Sequence, residues 1–102
     1  MAMGLIIEFD GVGREVYEAV NRNLDIDATR PTGNWPAGLH FHAGGAKPGG
    51  WVVFEVWESK EAQERFMRER LGSALAQGGV AKPPSRVEWL ALAAHTVPQM
   101  AK

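Results

Sequence analysis

Two histidines, His40 and His42, are the side chains best suited to acid–base chemistry in this sequence. They lie two residues apart in the segment 38–43, which alternates apolar and polar residues. Such alternation predicts a β-strand, and residues two apart in a strand share a face. A neutral imidazole there can take a proton from a phenol or an acidic C–H group, so both histidines are candidate catalytic bases.

The same two histidines could instead hold a metal ion, because imidazoles at this spacing can coordinate one. A third ligand would have to come from Glu55, Glu88 or His95. Because this ligand set is incomplete, we predict no metal site and no cofactor. Two other interpretations remain open, in which the histidines line a pocket or are structural side chains, partly exposed or hydrogen-bonded.

Large aromatic side chains could form the wall of a pocket for a flat ligand. Trp51 and Trp57 lie six residues apart in one apolar segment, so a strand would place them on the same face as Glu55. Trp35 lies in the long segment 25–38, which shows no periodicity and could act as a flap over the pocket. The alternative for these rings is a place in the core or in a dimer interface.

The periodicity along the chain predicts four strands and two helices. The strands are expected at 5–9, 38–43, 51–57 and 87–93, and the helices at 14–24 and 59–78. The glycines in 44–50 predict a hairpin loop, and Gly72 predicts a kink or a close contact in the second helix. The order β-α-β-β-α-β predicts a ferredoxin-like α+β fold, with an antiparallel sheet and two helices on one of its faces.

The third predicted strand is apolar on both faces, since Val52, Phe54 and Val56 alternate with the residues of the tryptophan face. In a sheet with helices on one face only, the second apolar face needs another layer to cover it. A chain of 102 residues forms one small domain, whose own core gives limited stability. We therefore predict a homodimer.

The composition indicates a single domain over residues 1–102, with a core at about 4–95 and a loose tail at 96–102. Lys and Arg number 11 and Asp and Glu number 12, and a net charge of -1 gives no basic surface for nucleic acid or an anionic membrane. The absence of cysteine excludes disulfides and thiolate catalysis and fits a reducing cytoplasm. The first residues lack the basic flank and long apolar run of a signal peptide, and no stretch is long enough to span a membrane.

The segment 50–66 resembles the antibiotic biosynthesis monooxygenase superfamily of dimeric α+β barrels. In that family the third strand ends in a tryptophan, followed by an acid, then by a serine that caps the second helix, with an aromatic residue several positions later. Trp57, Glu58, Ser59 and Phe66 stand in those places here. The segments 42–44 and 70–75 also resemble uncharacterised actinobacterial members.

The resemblance implies a homodimer whose two sheets face each other, with a small apolar or aromatic ligand bound between each sheet and its helices. Some members oxidise polyketide-like phenols with oxygen and without metal or flavin, while others degrade haem or have no known reaction. Haem-degrading relatives carry an axial histidine on the second helix, which this chain lacks. The expected function is a cofactor-independent monooxygenase acting on a flat aromatic or polyketide-like molecule.

This expectation gives each candidate residue a role. His42 or His40 would deprotonate the substrate and Trp57 would position its ring. Asn21 or Tyr17, on the first helix, would hydrogen-bond the forming enolate. The other residues expected to contact the substrate are Trp35, Trp51, Glu55 and Phe66. Two alternatives stay open: a non-catalytic dimer that binds a small ligand or mediates an interaction, and a cyclase or isomerase that uses the same base without oxygen.

Overall fold

The computed structural model describes residues 2–96 and 98, and within them it confirms the predicted α+β fold. The elements in chain order are β1 (Met3–Asp10), α1 (Arg14–Asn23), β2 (Leu39–Lys47), β3 (Gly50–Trp57), α2 (Lys60–Phe66), a π-helical turn (Met67–Leu71), α3 (Gly72–Gln77) and β4 (Arg86–Ala91). The four strands form one antiparallel sheet in the order β2-β3-β1-β4. None of the helices in these residues has the length and apolar character that a bilayer crossing requires.

The hairpin between β2 and β3 is shorter than the sequence predicts. The predicted loop 44–50 is mostly strand, because Gly44 and Gly45 pair with Val53 and Val52 across the ladder. Only residues 48 and 49 lie between the strands, and Gly49 adopts a φ of 73° in the turn. The glycine-rich composition misled the prediction, since a glycine inside a strand can mark a close approach of another group rather than a turn.

The second helical segment begins at a serine cap, as the sequence predicts. The Ser59 hydroxyl accepts a hydrogen bond from the Ala62 backbone N–H at 3.1 Å. The segment then continues through α2, the π-helical turn and α3 without leaving a helical path. The expected distortion near Gly72 is this wide turn, which ends immediately before that glycine. Such turns are uncommon and often occur beside functional sites.

The core lies between the helices and one face of the sheet, which we call the inner face. β3 contributes Trp51, Val53 and Trp57 to it, all buried. The opposite, outer face of the sheet is also apolar, and much of it is left uncovered by the residues that the structure describes. Phe54 and Phe41 are 36% and 41% exposed there, and their rings contact each other with centroids 6.0 Å apart. The prediction that both faces of β3 are buried is therefore confirmed on the inner face, whereas on the outer face Val56 is buried and Phe54 is exposed.

Candidate active site

The centre of the candidate site is a close contact between a histidine and a glutamate on neighbouring strands. His42 of β2 and Glu55 of β3 are direct partners in the antiparallel register, and both point to the inner face. Their side chains approach to 2.8 Å between Nδ1 and Oε2. The other carboxylate oxygen, Oε1, accepts a hydrogen bond from the Trp57 indole N–H at 2.9 Å. Glu55 is 7% exposed, so its two oxygens are held by specific donors instead of by water.

This arrangement fixes which nitrogen of His42 carries the proton. A carboxylate can only accept hydrogen bonds, so Nδ1 must be the N–H nitrogen and donate to Glu55. Nε2 of the neutral ring is then an acceptor, and the Tyr17 hydroxyl donates a short hydrogen bond to it. The four side chains Tyr17, His42, Glu55 and Trp57 thus form one continuous chain of hydrogen bonds across the inner face.

The Tyr17 hydroxyl remains a donor over the whole neutral range. Burial is the main cause that raises the pKa of this hydroxyl above its ordinary value of 10.0, and the negative charge of Glu55 raises it further. The Asn21 side chain, one helical turn away on α1, acts in the opposite direction and does not cancel these effects. A protonated phenol beside Nε2 can donate its hydrogen bond to that nitrogen in the absence of a ligand.

His42 lies where three cavities meet. An apolar cavity of about 70 Å³ lies between the sheet and the helices, and Tyr17, Trp51 and Glu55 also border it. Two wider clefts, of about 490 Å³ and 380 Å³, open toward solvent, and residues 28 and 29 border both of them. Within the described residues, His42 is the one side chain that borders all three, so a base at this position can meet a ligand that enters from either cleft.

Most of the side chains that the sequence singled out meet at the apolar cavity. The residues from that set which border it are Tyr17, Asn21, Trp35, His42, Trp51, Glu55 and Phe66. The Trp35 ring lies 5.5 Å from the His42 ring, which places the long segment 25–38 over the site. Trp57 does not border the cavity. It is fully buried, and it contacts the site through the hydrogen bond to Glu55 and through the Phe66 ring, with centroids 5.8 Å apart.

The two histidines do not share a face, which corrects the expectation from their spacing. A bulge between Leu39 and Phe41 interrupts the pairing of β2 with β3. One extra residue in a strand breaks the alternation of side chains. His40 is therefore exposed, borders the 380 Å³ cleft and stacks on His95, with ring centroids 5.7 Å apart. His42 alone reaches Glu55.

The bulge also separates the potential metal ligands into two groups. His40 contacts His95, whereas His42 contacts Glu55. In the part of the chain that the structure describes, no three His, Cys, Asp or Glu side chains come together as a metal-binding group. The absence of a metal site in the working protein stays a prediction.

Arg70 is a residue of the site region that the sequence analysis missed. From the π-helical turn it donates hydrogen bonds to the backbone carbonyls of Leu24 at 2.8 Å and Asn34 at 2.7 Å. It thereby ties together both ends of the loop that carries Ile26 and Trp35 onto the cavity. A cation within the apolar stripe of a helix was the available signal, because such a side chain needs a buried partner.

Comparisons with known proteins give the fold a context. No family model matches the sequence, and no curated protein matches it. NE2512, a protein of unknown function from Nitrosomonas europaea, has a similar solved structure, with a TM-score of 0.66 and 17% identity over 97% of this chain and 96% of that chain. A protein from Chloroflexus aurantiacus described as an antibiotic biosynthesis monooxygenase has a TM-score of 0.64 and 13% identity, over 96% and 100% of the two chains.

A third similar structure is that of a mutant of SnoaB from Streptomyces nogalater, which is a cofactor-independent oxygenase. Its TM-score is 0.58 and its identity 14%, over 96% of this chain and 98% of that chain. The chain has an antibiotic biosynthesis monooxygenase-like fold. At these identities the likeness establishes the fold alone, and the resemblance to actinobacterial members stays a prediction.

Proposed function

We propose that this protein is a cofactor-independent monooxygenase that acts on a flat aromatic or polyketide-like molecule, with His42 as the catalytic base. The observation that carries the proposal is the hydrogen-bonded pair of His42 and Glu55 at the junction of an apolar cavity and two open clefts. The carboxylate orients the imidazole and stabilises the imidazolium that forms when Nε2 takes a proton. The description of SnoaB as a cofactor-independent oxygenase supports the same chemistry on the same fold.

In the proposed reaction the substrate itself supplies the electrons. His42 removes a proton from a phenol or an activated CH₂ group, which leaves an electron-rich anion. The anion transfers one electron to O₂, and the two radicals combine to form a C–O bond as a hydroperoxide. Loss of water from the hydroperoxide converts CH₂ and O₂ into C=O and H₂O, and the proton held by His42 returns with the leaving oxygen. An apolar cavity favours this sequence because it keeps water away from the anion.

We also propose that the working form is a homodimer joined through the outer face of the sheet. Phe41, Phe54 and Leu90 project from that face and are each more than a third exposed in the single chain. Burial of apolar side chains of this size is the main driving force for association. A charged cluster in which Lys47 and Arg86 pair with Glu8 lies at the hairpin end of the same sheet and would restrict how a second copy docks.

Oxygen consumption under controlled conditions tests the proposed reaction. The protein should be treated with a chelator and incubated with a panel of bicyclic and tricyclic phenols and cyclic ketones, while oxygen and product are measured together. We expect one O₂ consumed for each carbonyl formed. Product that also forms under nitrogen would instead identify a cyclase or isomerase, and tight binding without conversion would identify a ligand-binding protein.

A further inference from the structure

The indole N–H of Trp51 is a buried donor without a hydrogen-bond partner among the described residues. The side chain is 4% exposed and borders both the apolar cavity and the 490 Å³ cleft. Other polar side chains at the centre of the site, including Glu55 and Trp57, are paired. Buried donors in native proteins nearly always have a partner, so an unpaired one beside a cavity indicates a place where a ligand supplies the acceptor.

The Trp51 indole N–H and the Tyr17 hydroxyl both lie beside Gly44. A methyl group built on Gly44 would lie 2.7 Å from the Tyr17 hydroxyl and 3.0 Å from Trp51 Nε1. The Tyr17 and Trp51 rings also pack on each other, with centroids 4.9 Å apart. The hydroxyl and the indole N–H are therefore close enough together for a single ligand oxygen to accept a hydrogen bond from both. The lack of a side chain at Gly44 is what allows both groups to lie there.

We propose that Trp51 N–H and Tyr17 O–H form a donor pair that holds the oxygen of the substrate, beside the base His42. This inference rests on the proposed function and narrows its substrate class. The substrate would be a planar phenol or cyclic ketone in which the oxygen is conjugated with the acidic proton, so that deprotonation places negative charge on the oxygen. Paired donors aimed at a developing oxyanion stabilise it strongly in a site shielded from water.

The hydrogen bond between Tyr17 and His42 explains how the donor pair is made available. In the ligand-free chain the Tyr17 hydroxyl donates to His42 Nε2. Once Nε2 has taken the substrate proton it becomes a donor, so the Tyr17 oxygen accepts from it and the hydroxyl hydrogen turns toward the substrate oxygen. When a ligand oxygen enters, the hydroxyl hydrogen can first rotate from Nε2 to that oxygen, which leaves Nε2 free to take the substrate proton.

Nuclear magnetic resonance on the whole protein tests the pair directly, since its four tryptophans give four indole N–H signals. The probes are 1-naphthol and 1-methylnaphthalene, which have similar size and shape but differ in the presence of an oxygen. We expect 1-naphthol to move the Trp51 indole proton downfield as it gains a hydrogen bond, and 1-methylnaphthalene to leave it nearly unchanged. A bound naphthol that does not move this signal, or no binding of naphthol at all, would overturn the proposal.

Variants separate hydrogen bonding from packing. Trp51→Phe should lower the affinity for 1-naphthol relative to that for 1-methylnaphthalene by about tenfold, the effect of one good hydrogen bond. Trp89→Phe, on β4 outside the cavity, should leave the ratio unchanged. If Trp51→Phe folds poorly, Gly44→Ala places a methyl group between the two donors and should reduce the ratio similarly. Gly45→Ala is its control, because an added methyl there meets no atom within 4 Å.

An unchanged ratio in both Trp51→Phe and Gly44→Ala would contradict the donor pair. These measurements need no oxygen and no turnover. A protein that fails to oxidise any phenol, and yet shows the expected indole shift and affinity ratio, would refute the proposed reaction and leave the binding inference standing.

Discussion

Glu55 and His42 face each other across two antiparallel strands, with 2.8 Å between the carboxylate Oε2 and the imidazole Nδ1. Because the second carboxylate oxygen is held by the Trp57 indole, the carboxylate cannot rotate away from the histidine without losing a buried hydrogen bond. The strand register therefore sets the tautomer of His42, and the tautomer sets which nitrogen can act as a base. A substitution that changes the Glu55 carboxylate should therefore change the tautomer of His42 and, with it, the nitrogen that can act as a base.

Glu55→Gln should reverse the tautomer of His42. Glutamine has one acceptor oxygen where glutamate has two, and the buried Trp57 N–H requires it. The amide NH₂ group would then face Nδ1 and make it an acceptor, so the imidazole proton would move to Nε2 and the base would be lost. We expect a fall in turnover of about a hundredfold or more, with a matching change of tautomer in the ¹⁵N signals of the histidine ring. An unchanged tautomer would show that Glu55 does not control it.

Trp57→Phe should affect stability through the same carboxylate. Phenylalanine keeps most of the apolar contacts but leaves Glu55 Oε1 buried without a donor, which costs about 1–3 kcal/mol in the free energy of unfolding. Chemical denaturation measures this change. Trp89→Phe is the matched control, because that ring is half-buried and makes no comparable hydrogen bond in the described residues, so its loss should be smaller. Equal losses in the two variants would mean that the indole contributes by packing alone.

The Tyr17 hydroxyl should titrate at a higher pH in the folded protein than in the unfolded chain. Burial raises its pKa above 10.0, so between 10 and the folded value the folded state binds one more proton than the unfolded state. Stability from this group is complete below pH 10 and should fall as the pH rises through the folded pKa. Since the protein has a single tyrosine, ultraviolet absorbance follows the titration directly. A midpoint at or below 10 in the folded state would contradict the burial of the hydroxyl.

Phe54→Asp should convert the proposed dimer into a monomer. The change places a charge in the centre of the exposed apolar patch that it forms with Phe41, where desolvation of the carboxylate opposes association. Light scattering should give twice the chain mass of 11.1 kDa for the unsubstituted protein and the mass of one chain for the variant. Val87→Asp is the control. Val87 is also exposed, at 55%, but it pairs with the inward-facing Ile7, so its side chain lies on the inner face and outside the proposed interface. The mass of one chain for the unsubstituted protein would exclude the outer-face dimer.

The regularity of β3 explains how much of the site could be predicted from the sequence. Its pairing with β1 is continuous and β3 itself contains no extra residue, so alternation correctly placed Trp51, Glu55 and Trp57 on one face. β2 contains a bulge, and the residue types around it carry no signal for one. The same rule therefore failed for His40.

Contacts between distant parts of the chain could not be predicted in this way. Tyr17 and His42 are 25 residues apart, and their hydrogen bond depends on which turn of α1 packs against β2. Helical periodicity identifies a face of a helix but not the strand that it meets. The role of Glu55 as the partner of His42 needed the strand register for the same reason, although both residues had been selected as candidates.

Oxygen uptake by His42→Ala tests the central claim most directly. The unsubstituted protein and the variant should be compared on the same planar phenol, with turnover expressed per folded molecule and the melting temperature measured for both. We expect the variant to remain folded and to lose about a hundredfold or more in the rate of oxygen consumption, the usual effect of removing a positioned base. Equal rates per folded molecule, or no oxygen consumption by the unsubstituted protein on any phenol of the panel, would contradict the account.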